Sequence, residues 1–404
     1  MTNELKNVPE LRFSEFDGVW ENSKLGTVAN VYDGTHQTPK YTIEGIKFLS
    51  VENIKTLNSN KFISKEAFEK EFKIRPEFGD VLMTRIGDVG TPNVIETNED
   101  LAYYVSLALL KPKKLNSYFL ESLIRSQTVQ NELWRKTLHI AFPKKINKNE
   151  IAKVEINYPE QMEQQKIGEF FSKLDRQIEL EEQKLAKLEE QKKGYMQKIF
   201  SQELRFKDGN GNDYPNWIFK ELNNIFTKYQ NTIYLHDNEE YKRISISNKG
   251  KITHRDITFG KRIGRKRQYL IDLKKHPNTL TFIRQGVFLG GIGFIPSSLD
   301  GYIVTENMPL LSMSEEYSKK FMTYLFSSES YYKSVIFKNL PTGSAQKALH
   351  EKDWLKSFVN IPVYSEQEKI GNFFEKQDNL IKKQSDKVEL LKERKKGFLQ
   401  KMFV

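Results

Sequence analysis

The sequence contains no cysteine. Without thiols the chain can form no disulfide framework, no thiolate nucleophile and no zinc site with cysteine ligands. This composition is typical of a reducing compartment, so we expect a cytoplasmic protein. The N-terminal stretch, MTNELKNVPE, lacks the apolar core of a secretion signal, and we expect no export by that route.

Long apolar runs are also missing. The most apolar stretch, TFIRQGVFLGGIGFI at 281–295, is too short to span a bilayer and contains Arg284 and Gln285. We therefore expect no membrane partner. The stretch is instead predicted to form a buried strand or hairpin.

Motifs for catalysis and metal binding are absent too. The sequence has no GxxxxGK[ST] phosphate loop, no Asn-Pro-Pro or Asp-Pro-Pro amino-methyltransferase motif and no GxSxG nucleophile elbow. Its six histidines are scattered without the spacing of metal ligands. We predict a non-catalytic chain without a metal site.

The composition does supply apolar residues and positive charge. The 404 residues suggest two to three domains, and a 38% hydrophobic fraction is enough for packed cores. Lysine and arginine number 64 against 53 acidic residues, which gives a net charge of +11. Such a surplus favours a polyanionic partner such as nucleic acid or a membrane surface.

One segment of the chain occurs twice. QQKIGEFFSKLDRQI at 164–178 recurs as QEKIGNFFEKQDNLI at 367–381, and the copies lie 203 positions apart. The match extends without a gap over 159–200 of the first copy. A period this long indicates a duplicated unit rather than a solenoid of short repeats.

A looser similarity opens each half of the chain. PELRFSEFDGVW at 9–20 resembles QELRFKDGNGNDYPNW at 202–217. Each half then continues with a long mixed segment, an asparagine and a proline, and the repeated segment. The duplicated unit is therefore a globular part followed by a long helix.

Both repeated segments show the residue spacing of a coiled coil. Seam residues recur at alternating steps of four and three, which is the 3.5-residue period. The predicted apolar seam positions are Ile167, Phe171, Leu174, Ile178, Leu185, Leu188, Tyr195, Ile370, Phe374, Ile381, Val388, Leu391 and Phe398. The polar seam positions are Glu181, Lys192, Gln384 and Lys395, of the kind that fixes register in coiled coils.

Two arrangements of the helices are compatible with this seam. Each helix could cover only the core of its own globular part. Alternatively, the two could pair antiparallel, with the globular parts at opposite ends and related by a pseudo-twofold axis. A helix of about 34 residues would be ~50 Å long, more than a small domain needs, which favours the pair.

We therefore predict an α+β fold in which two similar globular domains are joined by two long helices that form an antiparallel coiled coil. Within the globular parts, 117–136 and 319–337 are predicted amphipathic helices in equivalent places. The predicted boundaries are 1–158 for the first domain, 159–203 for the central helix, 204–361 for the second domain and 362–404 for the C-terminal helix.

Basic and polar residues cluster in the predicted turns of both globular parts. Arginine and lysine reach phosphates, and arginine, glutamine and asparagine also read base edges. For any single residue a solvated surface is the alternative, but the run GKRIGRKRQY favours nucleic acid. The predicted DNA contacts are Thr35, His36, Lys40, Arg85, Lys144, Lys145, Arg243, Lys261, Arg262, Arg265, Lys266, Arg267, Ser344, Gln346 and Lys347.

Several motifs also carry a family resemblance. They are LRFSEFDGVW, GDVLMTRIGDVG, GSAQKAL, and the pair YPEQMEQQKIGEFFSKLD and IPVYSEQEKIGNFFEKQD. Over essentially its whole length the chain resembles the specificity (S) subunit of type I restriction–modification enzymes. One departure is that the first globular part has LHIAFPKKI and no clear counterpart of GSAQKAL.

This resemblance implies that each globular part is a target-recognition domain for one half of a bipartite sequence in double-stranded DNA. It also implies that the helices act as a spacer and hold two methyltransferase (M) subunits, with restriction/translocase (R) subunits in the full assembly. S-adenosylmethionine, ATP and Mg²⁺ are then expected on the partner subunits, and no cofactor on this chain.

Two other functions remain open from the residues. The chain could be a non-catalytic coiled-coil adaptor that binds nucleic acid without sequence preference, or a nuclease with an unrecognised site. The adaptor predicts uniform affinity and no methylation motif, whereas the nuclease predicts cleavage by the purified chain.

Overall fold

The computed structural model describes residues 7–37, 39–339 and 348–404. The chain divides into two compact units. Unit 1 comprises Met1–Gln183 and Ser385–Val404, and unit 2 comprises Lys184–Gln384. Each unit thus contains one globular part, here called a head, and parts of both long helices. The domain boundaries expected from the sequence stay predictions, because this division cuts through the helices.

Head 1 contains ten short strands and five short α-helices within the residues that the structure describes. Its strands are β1 (Glu21–Lys24), β2 (Ala29–Asp33), β3 (Tyr41–Thr42), β4 (Ile46–Leu49), β5 (Phe62–Ile63), β6 (Val81–Ile86), β7 (Asp88–Val94), β8 (Leu101–Tyr103), β9 (Leu107–Pro112) and β10 (Glu155–Tyr158). Its helices are α1 (Leu25–Val28), α2 (Lys65–Glu71), α3 (Ser117–Arg125), α4 (Gln127–Lys136) and α5 (Lys148–Ala152), followed by the long helix α6 (Gln161–Phe200).

Head 2 follows the same plan. Its strands are β11 (Ile218–Glu221), β12 (Phe226–Tyr229), β13 (Thr232–Tyr234), β14 (Glu240–Ile246), β15 (Ile252–Phe259), β16 (Arg267–Leu270), β17 (Thr279–Phe282), β18 (Ile292–Phe294), β19 (Ile303–Val304), β20 (Leu310–Met313) and β21 (Phe358–Ile361). Its helices are α7 (Lys319–Ser327), α8 (Glu329–Tyr331) and α9 (Glu351–Leu355), followed by the long helix α10 (Tyr364–Lys401).

The two heads share one sheet order and differ in their second sheets, which have, in the described part of the chain, four strands in head 1 and five in head 2. An antiparallel sheet has the order β2-β9-β6-β7 in head 1 and β12-β20-β17-β18 in head 2. A second sheet contains a parallel pair in each head, β4 with β8 and β14 with β19. A short ladder joins the first strand of each head to its last, β1 with β10 and β11 with β21.

The cores explain why the central strands are apolar on both faces. In β6, Val81 and Met83 pack with Phe119 of α3 in one cluster, while Leu82 joins Phe48 in another. Successive side chains of a strand point to opposite faces, so β6 contributes to two cores at once. Head 2 also has two main apolar clusters. One packs against the long helices, and the other lies between its two sheets.

The two predicted amphipathic helices are each interrupted by a serine. Ser126 has extended backbone angles between α3 and α4, and its hydroxyl accepts a hydrogen bond from the amide of Val129. Ser328 does the same between α7 and α8, with the amide of Tyr331 as donor. A serine that caps a new helix competes with continuation of the old one, so one predicted helix becomes two.

The predicted fold class is confirmed: each head mixes helices and strands, and long helices follow both heads. The long helices comprise 40 and 38 residues, somewhat more than the sequence suggested. The apolar stretch 281–295 is a hairpin, as predicted, in which β17 pairs antiparallel with β18. The pseudo-twofold relation between the heads stays a prediction.

Candidate nucleic-acid interface

In each unit the segment that leads into the head is tied to the first turns of the following long helix. The guanidinium of Arg12 donates hydrogen bonds of 2.7 and 2.6 Å to both carboxylate oxygens of Glu163, whose side chain is fully buried. Arg205 holds the buried Glu366 in the same way, at 3.2 and 2.7 Å. Two parallel charge-assisted bonds fix orientation as well as distance. The repeated LRF motif and the repeated glutamate are therefore two parts of one contact.

The repeated glutamine connects each long helix to a helix of its head. The side-chain oxygen of Gln164 accepts from the amide of Asn116, the N-cap of α3, at 2.9 Å. Gln367 accepts from the amide of Ser318, the N-cap of α7, also at 2.9 Å. Each glutamine also donates to the carbonyl of the proline that precedes its helix. Each glutamine side chain thus connects its long helix to a helix of the head and to the proline before the long helix.

The repeated glycine permits the close approach of these helices. A Cβ atom at Gly168 would lie 2.8 Å from the backbone nitrogen of Phe119, and one at Gly371 would lie 3.0 Å from that of Phe321. Side-chain atoms lie closer still, Asn116 Oδ1 at 2.7 Å from a Cβ of residue 168 and Lys320 Cβ at 2.7 Å from a Cβ of residue 371. All four distances are shorter than normal van der Waals contact, and the two backbone nitrogens cannot move aside as a flexible side chain could. The EQ…IG part of the duplicated motif is therefore explained by how a head packs on its own helix.

The beginning of each long helix is part of a head's core. Ile167 and Phe171 are buried among residues of head 1, and Ile370 and Phe374 among those of head 2. Farther from the helix start, the seam residues have neighbours on the other long helix. The first turns of each long helix therefore cover the core of its own head, and the following parts pair with the other long helix within each unit. The placement of the heads at opposite ends of the pair stays a prediction.

Within each unit the long helices run antiparallel. In unit 1, Asp175 pairs with Lys395 and Glu181 with Lys387. The residue numbers rise along α6 and fall along α10, as antiparallel pairing requires.

Unit 2 contains the counterpart of one of these pairs. Lys192 lies 2.5 Å from Asp378. Through the 203-position repeat, Lys192 corresponds to Lys395 and Asp378 to Asp175. The lysine of the pair is therefore on α6 in unit 2 and on α10 in unit 1. Tyr195 packs edge-on against Phe373 nearby, with ring centroids 5.1 Å apart.

The predicted seam positions are mostly shielded from solvent. Those on α6 and α10 are buried or half-buried, except for Tyr195, which is 38% exposed. Of the polar positions, Gln384 is buried, whereas Glu181, Lys192 and Lys395 are half-buried and form ion pairs.

Two of the predicted contact residues of head 1, Arg85 and His36, lie beside Asp33, the last residue of β2. Arg85 is only 5% exposed, and its guanidinium pairs with Asp33 and donates a 3.0 Å hydrogen bond to the carbonyl of Ile146. Lys148 and His36 lie 3.8 and 4.0 Å from the same carboxylate. Arg85 thus holds the segment before α5 in place, a role that its position in the sequence did not suggest.

The other predicted residues of head 1 are more accessible. Lys144 and Lys145 are exposed at the end of the segment that Arg85 anchors. The ammonium of Lys144 lies 4.5 Å from the centre of the Trp134 ring. Thr35 is half-buried beside the exposed His36, and Lys40 is exposed before β3.

In head 2, Arg243 is engaged across the β14–β15 hairpin. It donates hydrogen bonds of 2.7 and 2.6 Å to Asp256. These bonds lower the pKa of the Asp256 carboxyl and raise the pKa of Arg243. For Arg243 to contact DNA, this half-buried pair would have to share or release its guanidinium.

The basic run 261–267 is exposed apart from Ile263, and its cations fall into two groups. Arg265 pairs with Glu306, and Lys266 lies 2.5 Å from Asp237. The remaining cations have no ion pair with any residue that the structure describes; they are Lys261, Arg262 and Arg267.

Comparison with protein families adds to this geometry. Residues 18–190 match the model of a family described as the type I restriction modification DNA specificity domain. This part of the chain, which is less than half of its length, is therefore similar to that family. The resemblance to type I specificity subunits, predicted from the repeated motifs, is confirmed.

Solved structures extend the likeness in fold to the whole chain. The S subunit of a type I restriction–modification system from M. genitalium is 14% identical, with 98% of this chain and 99% of that chain covered and a TM-score of 0.59. A chain from a structure concerned with complex assembly and conformational transition of the type I R-M system is 13% identical, with 94% and 96% covered and a TM-score of 0.56.

Outside the matched specificity domain, head 2 has a charged cluster that the sequence analysis missed. The buried carboxylate of Glu351 accepts hydrogen bonds from Lys228, at 2.5 Å, and from Arg284, at 2.9 and 2.5 Å. The carbonyl of Arg284 accepts a hydrogen bond from the amide of Leu349, and in head 1 the carbonyl of Arg85 accepts one from the amide of Ile146. Both arginines stand two residues before a glycine at the end of an apolar strand, in RIG and RQG, but this shared pattern does not indicate their partners.

Three further predicted contacts lie outside the described residues. They belong to the GSAQKAL motif and are Ser344, Gln346 and Lys347. Within the described ranges, no group of three or more histidine, aspartate or glutamate side chains is arranged to hold a metal ion. Among the helices of the described part of the chain, none is long and apolar enough to cross a membrane.

Proposed function

We propose that the chain is the DNA-specificity subunit of a type I restriction–modification system, and that each head reads one half of a bipartite target in double-stranded DNA. The observation that carries this proposal is the duplicated architecture. Both heads have the same strand order in their four-stranded antiparallel sheets and the same Arg–Glu, glutamine and glycine contacts to their helices. Their exposed basic residues differ, as expected for readers of different half-sites.

The long helices are proposed to set the distance between the half-sites. At ~1.5 Å per residue, helices of 40 and 38 residues are roughly 60 Å long. Half-sites read from one face of B-DNA lie about 34–36 Å apart, one helical turn, and a helix pair of this length is sufficient for such a span. An antiparallel pair would present the two heads in opposite directions, so the half-sites would be read on opposite strands.

The chemistry is assigned to partner subunits. In this proposal two M subunits bind the helix pair and methylate adenine with S-adenosylmethionine, while R subunits use ATP and Mg²⁺. The chain itself is non-catalytic, holds no cofactor and works in the cytoplasm, where the DNA is. Its role is to bind DNA through phosphate contacts, which weaken with salt, and base-edge contacts, which supply specificity.

Genome-wide mapping of methylated adenines tests the proposal. The chain is expressed with its M partner, and the expected result is one motif with two fixed half-sites separated by an unread gap. M protein expressed alone is the control and should give no such motif. Uniform DNA affinity without any motif would support the sequence-independent adaptor instead, and DNA cleavage by the purified chain would support a nuclease.

A further inference from the structure

A loop of head 1 presents two large apolar side chains to solvent. It spans 138–145, between α4 and α5, with the sequence LHIAFPKK. Ile140 is 99% exposed and Phe142 is 104% exposed. Single exposed apolar residues are ordinary on protein surfaces, but two at the tip of one short loop need a partner surface to become favourable.

The loop is held in place rather than attached loosely. The amide of Leu138 donates to the carbonyl of Lys145 at 2.8 Å, and the amide of Gly87, just after β6, donates to the carbonyl of Lys144 at 2.8 Å. His139 lies against the Trp134 ring, with centroids 4.2 Å apart, and its ring nitrogen bonds the Trp134 carbonyl at 2.9 Å. The tip is therefore presented in a defined position.

The charge of the loop indicates what it meets. It contains no acidic residue, and the apolar tip is followed directly by the exposed pair Lys144 and Lys145. Arg85, which pairs with Asp33, fixes the next residue of the chain through the Ile146 backbone. Lysines beside an apolar tip suit a polyanion that also offers apolar groups, and they do not suit an apolar protein groove.

DNA offers one apolar group without disruption of its structure, the C5-methyl group of thymine in the major groove. Insertion of the side chains between base pairs is the other possibility, but it sacrifices base stacking. We propose that Ile140 and Phe142 contact thymine methyl groups of the half-site read by head 1, while Lys144 and Lys145 contact the adjacent phosphates. This inference rests on the proposed function.

Uracil, which lacks only the methyl group, provides the test. DNA carrying the mapped target is prepared with thymine replaced by uracil at one half-site position at a time, and binding by the complex of this chain with its M partner is measured. At least one replacement should weaken wild-type binding by about fourfold, the value for one buried methyl group. Ile140→Ala or Phe142→Ala should weaken binding to thymine DNA and show no further loss on uracil DNA.

Lys144→Ala is the matched control, because removal of a phosphate contact should weaken binding equally on thymine and uracil DNA. Both apolar side chains are fully exposed, so the alanine variants should retain the wild-type melting temperature. Equal wild-type affinity for thymine and uracil DNA at every position would overturn the inference. So would increased fluorescence of 2-aminopurine in the half-site, which indicates unstacking, or loss of M binding by the variants. If wild-type complex gives no methylation motif at all, the proposed function itself is wrong.

Discussion

The guanidinium of Arg12 binds both carboxylate oxygens of Glu163, at 2.7 and 2.6 Å, across 151 positions of the sequence. The carboxylate is fully buried, and the side chain of Arg12 is only 14% exposed. The pair therefore anchors the N-terminal lead-in to the start of α6. Removal of one partner from a buried pair leaves an uncompensated charge, which costs more than the pair itself contributes.

Arg12→Met should accordingly lower the free energy of unfolding of the chain by about 3–5 kcal/mol. The matched variant is the double substitution Arg12→Met with Glu163→Met, in which no charge remains buried and the loss should be clearly smaller. Urea unfolding monitored by circular dichroism measures both. Equal losses in the single and double variants would contradict this account of Glu163.

The repeated glycines provide a second prediction with internal controls. Gly168→Ala and Gly371→Ala place a Cβ against backbone atoms of the adjoining head helix, and overpacking of this kind costs about 1–3 kcal/mol. Gly194 and Gly397 lie in the same two helices, and a Cβ at either position would have open space for 4 Å around it. Alanine there should stabilise the chain by about 0.5–1 kcal/mol through helix propensity alone. Thermal unfolding of the four variants should show opposite signs for the two pairs.

Glu351 should make the stability of the chain depend on acid pH. Burial raises the pKa of its carboxyl, but hydrogen bonds from Lys228, from its own backbone and from Arg284 outweigh that effect and hold the pKa below its usual value. A carboxyl whose pKa is lower in the folded than in the unfolded chain stabilises the fold at pH values above its unfolded pKa, which is about 4.3 for glutamate. That stabilisation is lost as the pH falls through the folded pKa.

The measurement is thermal unfolding between pH 7 and pH 3, with Glu351→Gln as the comparison. The variant should be less stable at neutral pH, and its deficit relative to wild type should shrink as the pH falls below about 4.3. A deficit that stays constant over this range would show that the ionised form of Glu351 is not the stabilising one.

Lys261, Arg262 and Arg267, the cations of the 261–267 run without an ion pair among the described residues, should contribute to DNA binding through phosphates. Their substitution by alanine should weaken binding on all sequences. It should also reduce the slope of log affinity against log salt by about one for each phosphate that is no longer bound. Arg265→Ala with Lys266→Ala is the comparison, because those side chains already pair with Glu306 and Asp237. Fluorescence anisotropy over a salt series distinguishes the two variants. An unchanged slope in the triple variant would place the run outside the interface.

The sequence predicted the parts of this molecule that depend on local pattern. The 3.5-residue spacing gave the long helices, and the 203-position repeat indicated that the heads are similar. The apolar stretch 281–295, predicted as a buried strand or hairpin, contains the turn between the paired strands β17 and β18. Ser126 is a residue type that often caps helix N-termini. The apolar periodicity on both sides of it nevertheless favoured one continuous helix over 117–136.

The contacts that could not be predicted are those between distant residues. From the sequence Arg85 resembles an exposed arginine in a turn, and only the folded head brings Asp33 and the Ile146 carbonyl to it. Likewise Arg12 and Glu163 are separated by the whole of head 1, so no local pattern connects them. The role of the basic residues near turns in DNA binding stays a prediction, and their individual partners within the protein depend on the tertiary structure.

The spacer role of the helices can be tested by insertion of one heptad into each. The insertions are placed between Gln183 and Lys184 and between Gln384 and Ser385, where both helices pass from one unit to the other. Seven residues preserve the seam and add ~10 Å of helix. The methylated motif should keep both half-sites, and its unread gap should lengthen by up to about three base pairs at ~3.4 Å each.

An insertion in only one helix is the control for this experiment. It shifts the seam residues of that helix past their partners on one side of the insertion, so the complex should lose the defined motif rather than lengthen the gap. A double insertion that is folded and active but keeps the original gap would show that the helices do not set the half-site distance. Two half-sites recognised at several different gaps would lead to the same conclusion, because a spacer of fixed length permits only one.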